Sequence, residues 1–83
     1  MLPMKLKTDN IEAWLVAKVS SLTGIQANEI SVDQPFSRFG LDSVAAVSLS
    51  GELEDWLGRK LSPTVVYDYP SVKALADYLV TLD

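Results

Sequence analysis

The chain has 83 residues, 7 basic and 11 acidic, for a formal net charge of −4, with no cysteine and no histidine. That length allows one domain with a thin core. The two absences exclude disulfides, His/Cys zinc sites and Ser-His or Cys-His nucleophile pairs, and the acidic balance argues against nucleic acid and suits a basic partner.

No apolar run approaches the ~20 residues of a membrane helix. No apolar stretch follows the lysines of residues 1–7, so a signal peptide is not expected and a cytoplasmic location is. There is no internal repeat and no low-complexity segment. Residues 1–7 read as a flexible N-terminus, and residues 8–83 as the domain.

Thr8, Asp9 or Asn10 can cap a first helix, with Glu12 in its first turn. Ile11, Trp14, Leu15, Val19 and Leu22 then form one apolar stripe at helical spacing, and Gly24 ends it. Residues 25–41 form a long connection, and loops above ~12–15 residues are uncommon in compact domains. Ile25, Ile30, Val32, Phe36, Phe39 and Leu41 can pin this one to the core. Ala27-Asn28-Glu29-Ile30 suits one helical turn, and Pro35 stiffens the backbone around Gln34. The connection reads as an ordered crossover that delivers Ser43 to a fixed place.

Gly40 can take a φ > 0 that a branched residue could not. Asp42 and Ser43 are both good helix caps, so a second helix is expected over residues 43–57. Two readings of the pair stand: a plain cap, or a serine hydroxyl presented at the positive end of a helix, where an anion is favoured. Ala46, Leu49, Leu53, Trp56 and Leu57 share the core face of this helix. Val44, Val47 and Gly51 fall opposite, as a partner surface or as the ordinary apolar exposure of a small protein. Gly51 costs a helix interior about 1 kcal/mol relative to alanine, which a partner's close approach or tight internal packing could offset. Glu52, Glu54 and Asp55 oppose the macrodipole. They read as a patch for a basic partner or as a solvated face, with Asp55–Arg59 as an i,i+4 pair if the helix runs that far.

Gly58 ends the helix, with Arg59 and Lys60 beside its carbonyls. Ser62-Pro63 starts a short third helix over residues 63–67, against the poor helix propensity of Val65 and Val66. Tyr69-Pro70 breaks it. Ser71 caps a last helix with Val72, Leu75, Ala76, Leu79 and Leu82 on its apolar face. Nothing alternates at period two, so no sheet is expected.

Nearly the whole chain resembles an acyl carrier protein. Gly40-Leu41-Asp42-Ser43-Val44 is similar to that family's Gly-x-Asp-Ser-[Leu/Val/Ile] attachment motif. The resemblance implies an all-α, four-helix bundle of acyl-carrier type, with a long first loop and a short third helix, acting as a monomer. It also implies that Ser43 receives 4′-phosphopantetheine from coenzyme A through a separate phosphopantetheinyl transferase. The magnesium of that reaction belongs to the transferase complex, so no metal site is expected here. The arm's thiol would bear acyl thioesters, and the chain would be a carrier rather than an enzyme. Asp42, Val44, Val47, Ser48 and Gly51 are the expected partner contacts, followed along the helix by Glu54 and Asp55.

The subtype also leaves marks. Peptidyl carriers usually read Gly-Gly-His-Ser where this chain has Gly40-Leu41-Asp42-Ser43, and fatty acid synthase carriers usually have a more acidic second helix. Leu61-Ser62-Pro63-Thr64 and Tyr67-Asp68-Tyr69-Pro70-Ser71 look like polyketide synthase carriers. The stretch from Glu54 to Thr64 is similar to carriers beside fatty acyl-AMP ligases, which implies cargo loaded from a free fatty acid. A peptidyl carrier and a helical docking module without an arm remain the alternatives.

Overall fold

The computed structural model describes residues 7–82. The expected flexible N-terminus therefore lies, Lys7 apart, outside the described residues. Four helices follow in order: α1 (Thr8–Thr23), α2 (Ser43–Leu57), α3 (Val65–Asp68) and α4 (Val72–Val80). Two short 3-10 turns, Ala27–Glu29 and Phe36–Phe39, lie within the connection from α1 to α2. Among the described residues there is no strand, only an isolated antiparallel bridge between Pro35 and Ser71. This is the expected all-α bundle with a long first loop and a short third helix.

On α1, Ile11, Leu15 and Val19 are buried against α4. Trp14 packs beside them and stacks on Trp56 of α2, with centroids 4.9 Å apart and planes 13° apart. Two expectations for α1 need correction. None of Thr8, Asp9 and Asn10 is the cap: extended Lys7 holds that position without a side-chain cap, and its carbonyl accepts the Ile11 N–H at 3.1 Å. The helix thus begins one residue earlier, and Asp9 sets its carboxylate in the first turn, where the helix dipole favours it. Leu22 is 39% exposed, because the buried stripe ends at Val19 and the chain turns away at Gly24 (φ 79°).

The long connection is anchored as expected. Ile30 and Phe36 are buried, and Ile25, Val32, Phe39 and Leu41 pack on the core. Backbone bonds tie it to the start of α4. The Phe36 N–H donates to the Pro70 carbonyl at 2.7 Å, and the Lys73 N–H to the Val32 carbonyl at 2.9 Å. The second bond satisfies a first-turn donor that α4 cannot satisfy itself. Ser71 Oγ accepts the Ala74 N–H at 3.1 Å, which is the expected side-chain cap.

Helix α2 has the expected bounds. Asp42 Oδ1 accepts the Ala45 N–H at 2.9 Å, and Gly58 (φ 73°) closes the other end on the Glu54 carbonyl at 2.8 Å. Ala46, Leu49 and Leu53 are buried, with Trp56 and Leu57 packed on the core at the margin. Ser50, absent from the expected face, is also buried. Its hydroxyl donates to the Ala46 carbonyl at 3.0 Å, with the Pro63 carbonyl 3.4 Å away. The expected Asp55–Arg59 pair does not form: the helix stops at Leu57, and the Arg59 guanidinium donates to the Leu82 carbonyl instead. Glu52 pairs with Lys18 of α1 at 2.6 Å, both half exposed, so the pair adds little stability.

Helix α3 is shifted from residues 63–67 to Val65–Asp68. Ser62 Oγ accepts the Thr64 N–H at 3.2 Å, and Ser62-Pro63 forms a turn before the helix. Val65 and Val66 are both buried, and that burial overrides their poor helix propensity. On α4, Val72, Leu75, Ala76 and Leu79 complete the core. Tyr78 stacks on Tyr69, with centroids 4.1 Å apart.

Leu53→Ala removes a fully buried side chain, and the expected loss is about 2–5 kcal/mol, read as a lower urea midpoint. Asp42→Ala should lose about 0.5–2 kcal/mol of cap stability, while Asp42→Asn keeps most of it. Thermal melts of the two variants side by side check this.

Candidate functional site

The start of α2 is shaped by three consecutive devices. The 3-10 turn over Phe36–Phe39 ends at Gly40, whose N–H donates to the Ser37 carbonyl at 3.1 Å with φ at 78°. A residue with a Cβ is strained in that conformation. Leu41 then packs on the core and fixes the direction of approach. Asp42, in extended conformation, caps the helix, and its carbonyl accepts the Ala46 N–H at 2.8 Å. Ser43 is thereby the first helical residue, and it is exposed.

Among the described residues, nothing hydrogen-bonds the Ser43 hydroxyl. The Asp42 carboxylate is turned to Ala45 and not to this hydroxyl. No base is therefore in place to activate Ser43 as a nucleophile. The N–H groups of Ser43 and Val44 also have no partner among the described residues, as the start of a helix dictates. An oxygen-linked phosphodiester fits this arrangement. The hydroxyl is open to solvent, and the free N–H groups and the dipole of a 15-residue helix favour its negative charge.

The expected contact residues fall beside Ser43 on one exposed side. Val44 is 79% exposed and Val47 53%, and Ser48 and Gly51 are also exposed. Asp55 is exposed further along. Glu54 differs: it is partly buried, and its Oε2 accepts the Leu61 N–H at 2.7 Å, tying α2 to the connection that follows. Tyr67 of α3, 53% exposed, is a large apolar side chain that the sequence reading missed. Its outward turn follows from the register of α3, which starts at Val65 with Val65 and Val66 buried.

Among the described residues, no helix is long and apolar enough to cross a membrane. None of their His, Cys, Asp and Glu side chains form a group of three or more that could hold a metal ion.

Comparison with known proteins adds three relatives. The chain is 38% identical over 69 residues to a phenolphthiocerol/phthiocerol polyketide synthase of Mycobacterium tuberculosis, a match covering 83% of this chain and 4% of that one. It is 28% identical over 74 residues to the acyl carrier protein TtuC of Teredinibacter turnerae, covering 89% of this chain and 85% of that one. Its fold matches a free-standing peptidyl carrier protein of Acinetobacter baumannii with a TM-score of 0.87 at 38% identity, covering 93% and 96% of the two chains. The chain thus spans a very small part of its synthase relative and most of the two free-standing carriers. The family described as "Phosphopantetheine attachment site" matches residues 13–79, and the chain belongs to that family of non-catalytic carriers bearing covalent 4′-phosphopantetheine.

Proposed function

We propose that Ser43 is the attachment residue and that the chain is the acyl carrier of a polyketide pathway. The observation that carries this reading is the Ser43 hydroxyl: exposed, unbonded, and set at the first position of a capped helix. Its oxygen takes the phosphopantetheinyl group from coenzyme A, adenosine 3′,5′-bisphosphate leaves, and the transferase removes the proton. This chain supplies no base for that step. When bound, the group supplies a thiol that holds acyl units as thioesters. Asp42 keeps the helix start rigid, so Ser43 is offered in one geometry. Val44, Val47, Ser48 and Gly51 offer a small uncharged face to successive enzymes, with Asp55 as its charged margin.

The matches to a polyketide synthase and to an acyl carrier protein support acyl cargo. The stretch from Glu54 to Thr64 supports a fatty acyl-AMP ligase as the loading enzyme, through its resemblance to carriers that work beside such ligases. A cytoplasmic setting suits a chain that draws on coenzyme A. The likeness to a peptidyl carrier at 38% identity favours aminoacyl cargo as the second reading.

One experiment separates the readings. The chain and its Ser43→Ala variant are incubated with coenzyme A, magnesium and a broad-specificity phosphopantetheinyl transferase, and intact masses are measured. The expected result is one added phosphopantetheine on the original chain and none on the variant. The modified chain is then offered to a fatty acyl-AMP ligase and to an aminoacyl-adenylating enzyme, and fatty acyl loading is expected. No added mass on a folded sample contradicts the carrier reading, and aminoacyl loading alone moves it to a peptidyl carrier.

A further inference from the structure

One side of α1 is left open by the fold. Ile11, Leu15 and Val19 are buried, but Ala13, Val16 and Ala17 line a groove together with Ala27 and Val32 of the long connection. The groove measures about 430 Å³, and its walls are mostly apolar. Ala13, Ala17 and Ala27 are exposed, while Val16 and Val32 pack on the core and are only half-buried. Apolar surface gathered in one place stays in water unless something covers it. Asp9 and Glu12 stand at the end of the groove nearest the start of α1. Neither forms an ion pair among the described residues. The groove is therefore apolar along most of its length and negative at one end.

We infer that residues 1–6 of this chain turn back at Lys7 and cover the groove. Three features carry this. The first is composition. Met1, Leu2, Pro3, Met4 and Leu6 are apolar and Lys5 is the single charge, whereas segments that remain in solvent are poor in apolar residues. The second is reach. Lys7 is the N-cap of α1, so Leu6 is tethered beside the acidic end of the groove. The helix rises about 12 Å from Asp9 to Ala17, and six extended residues span up to about 20 Å, which is enough to run the groove from end to end. The third is the order of charge. Lys5 lies close to the tether, as do Asp9 and Glu12, so the turn brings opposite charges together. Leu2 and Met4 then reach the apolar part, at Ala13, Val16, Ala17 and Val32.

The tether keeps the segment at high local concentration, so weak contacts suffice. An untethered partner of the same chemistry lacks that advantage. The segment is then bound, where the sequence suggested a flexible N-terminus, and it fixes the side from which the chain enters the domain. No residue of the Ser43 site takes part.

Methyl NMR of the full 83-residue chain tests this. The expected result is a set of nuclear Overhauser contacts from Leu2 and Met4 to Val16 and Val32. In an Ala13→Lys variant these contacts should be lost, because a charged side chain then stands in the middle of the groove. The variant should fold, since Ala13 is exposed and lysine is a good helix former; unchanged methyl signals of Leu49, Leu53 and Leu79 verify it. A Leu2→Ser/Met4→Ser variant should shift the amide signals of Ala13, Ala17 and Ala27. A sample mixed from labelled and unlabelled chains identifies the source of the contacts. Contacts within one chain support the inference, and contacts between chains overturn it by placing a second copy in the groove. An original chain without contacts from residues 1–6 to the groove also overturns it and leaves the groove to a partner protein. Contacts that survive Ala13→Lys in a folded chain overturn it as well.

Discussion

Phe36 holds the long connection where it has to be. Its ring is buried in the core, and its N–H is bonded to the Pro70 carbonyl at 2.7 Å. The Lys73 N–H bond to Val32 adds a second tie, so the connection serves as part of the cap of α4 while α4 serves as its anchor. Seventeen residues of free loop would place Ser43 anywhere within a wide radius, since closing a longer loop costs only slowly more entropy. With Ile30, Phe36, Phe39 and Leu41 fixed to the core, the same residues deliver one helix start in one orientation. The position of Ser43 depends on that delivery.

The helix start then divides the work between neighbours. Gly40 makes the turn, Leu41 anchors it, Asp42 satisfies a backbone donor, and Ser43 is left with nothing to hold. An unbonded exposed hydroxyl adds no internal hydrogen bond, and Val44 and Val47, at 79% and 53% exposure, leave most of their apolar surface in water. Gly51 lowers stability outright. These residues cluster on the side of α2 turned away from Leu49 and Leu53, so the helix has a stability face and a face that the fold does not use. A domain of this size has little stability to spare, which makes the unused face the informative one.

How much of this could be read from the sequence varied with how local the cause was. The bounds of α2 were legible because both signals are local: Asp42 bonds three residues ahead, and Gly58 bonds four residues back. The start of α1 was not, because Thr8, Asp9 and Asn10 are all good caps, yet the helix starts before all three, on the extended backbone of Lys7. The shift of α3 came from burial of Val65 and Val66, a tertiary cause that propensity does not contain. Ser50 escaped notice for a similar reason: its burial depends on Pro63, thirteen residues away, folding over it. At the site, the exposure of Val44, Val47 and Gly51 was legible from helical angle alone, whereas Ser43 stood out only through the motif Gly40-Leu41-Asp42-Ser43-Val44 and the resemblance it carries. Tyr67 was missed because it depended on the correct register of α3, and the inward turn of Glu54 because it depended on where Leu61 lies.

The central claim is that the geometry at the start of α2 singles out Ser43 among the serines of the chain. Proteolysis of the transferase-treated protein, followed by fragmentation mass spectrometry of its peptides, tests that claim most directly. The account predicts phosphopantetheine on Ser43 alone, with Ser37 and Ser48 unmodified although both are exposed. Modification at either of those residues, or spread over several serines, would show that exposure and not the capped helix start selects the site, and would contradict the account.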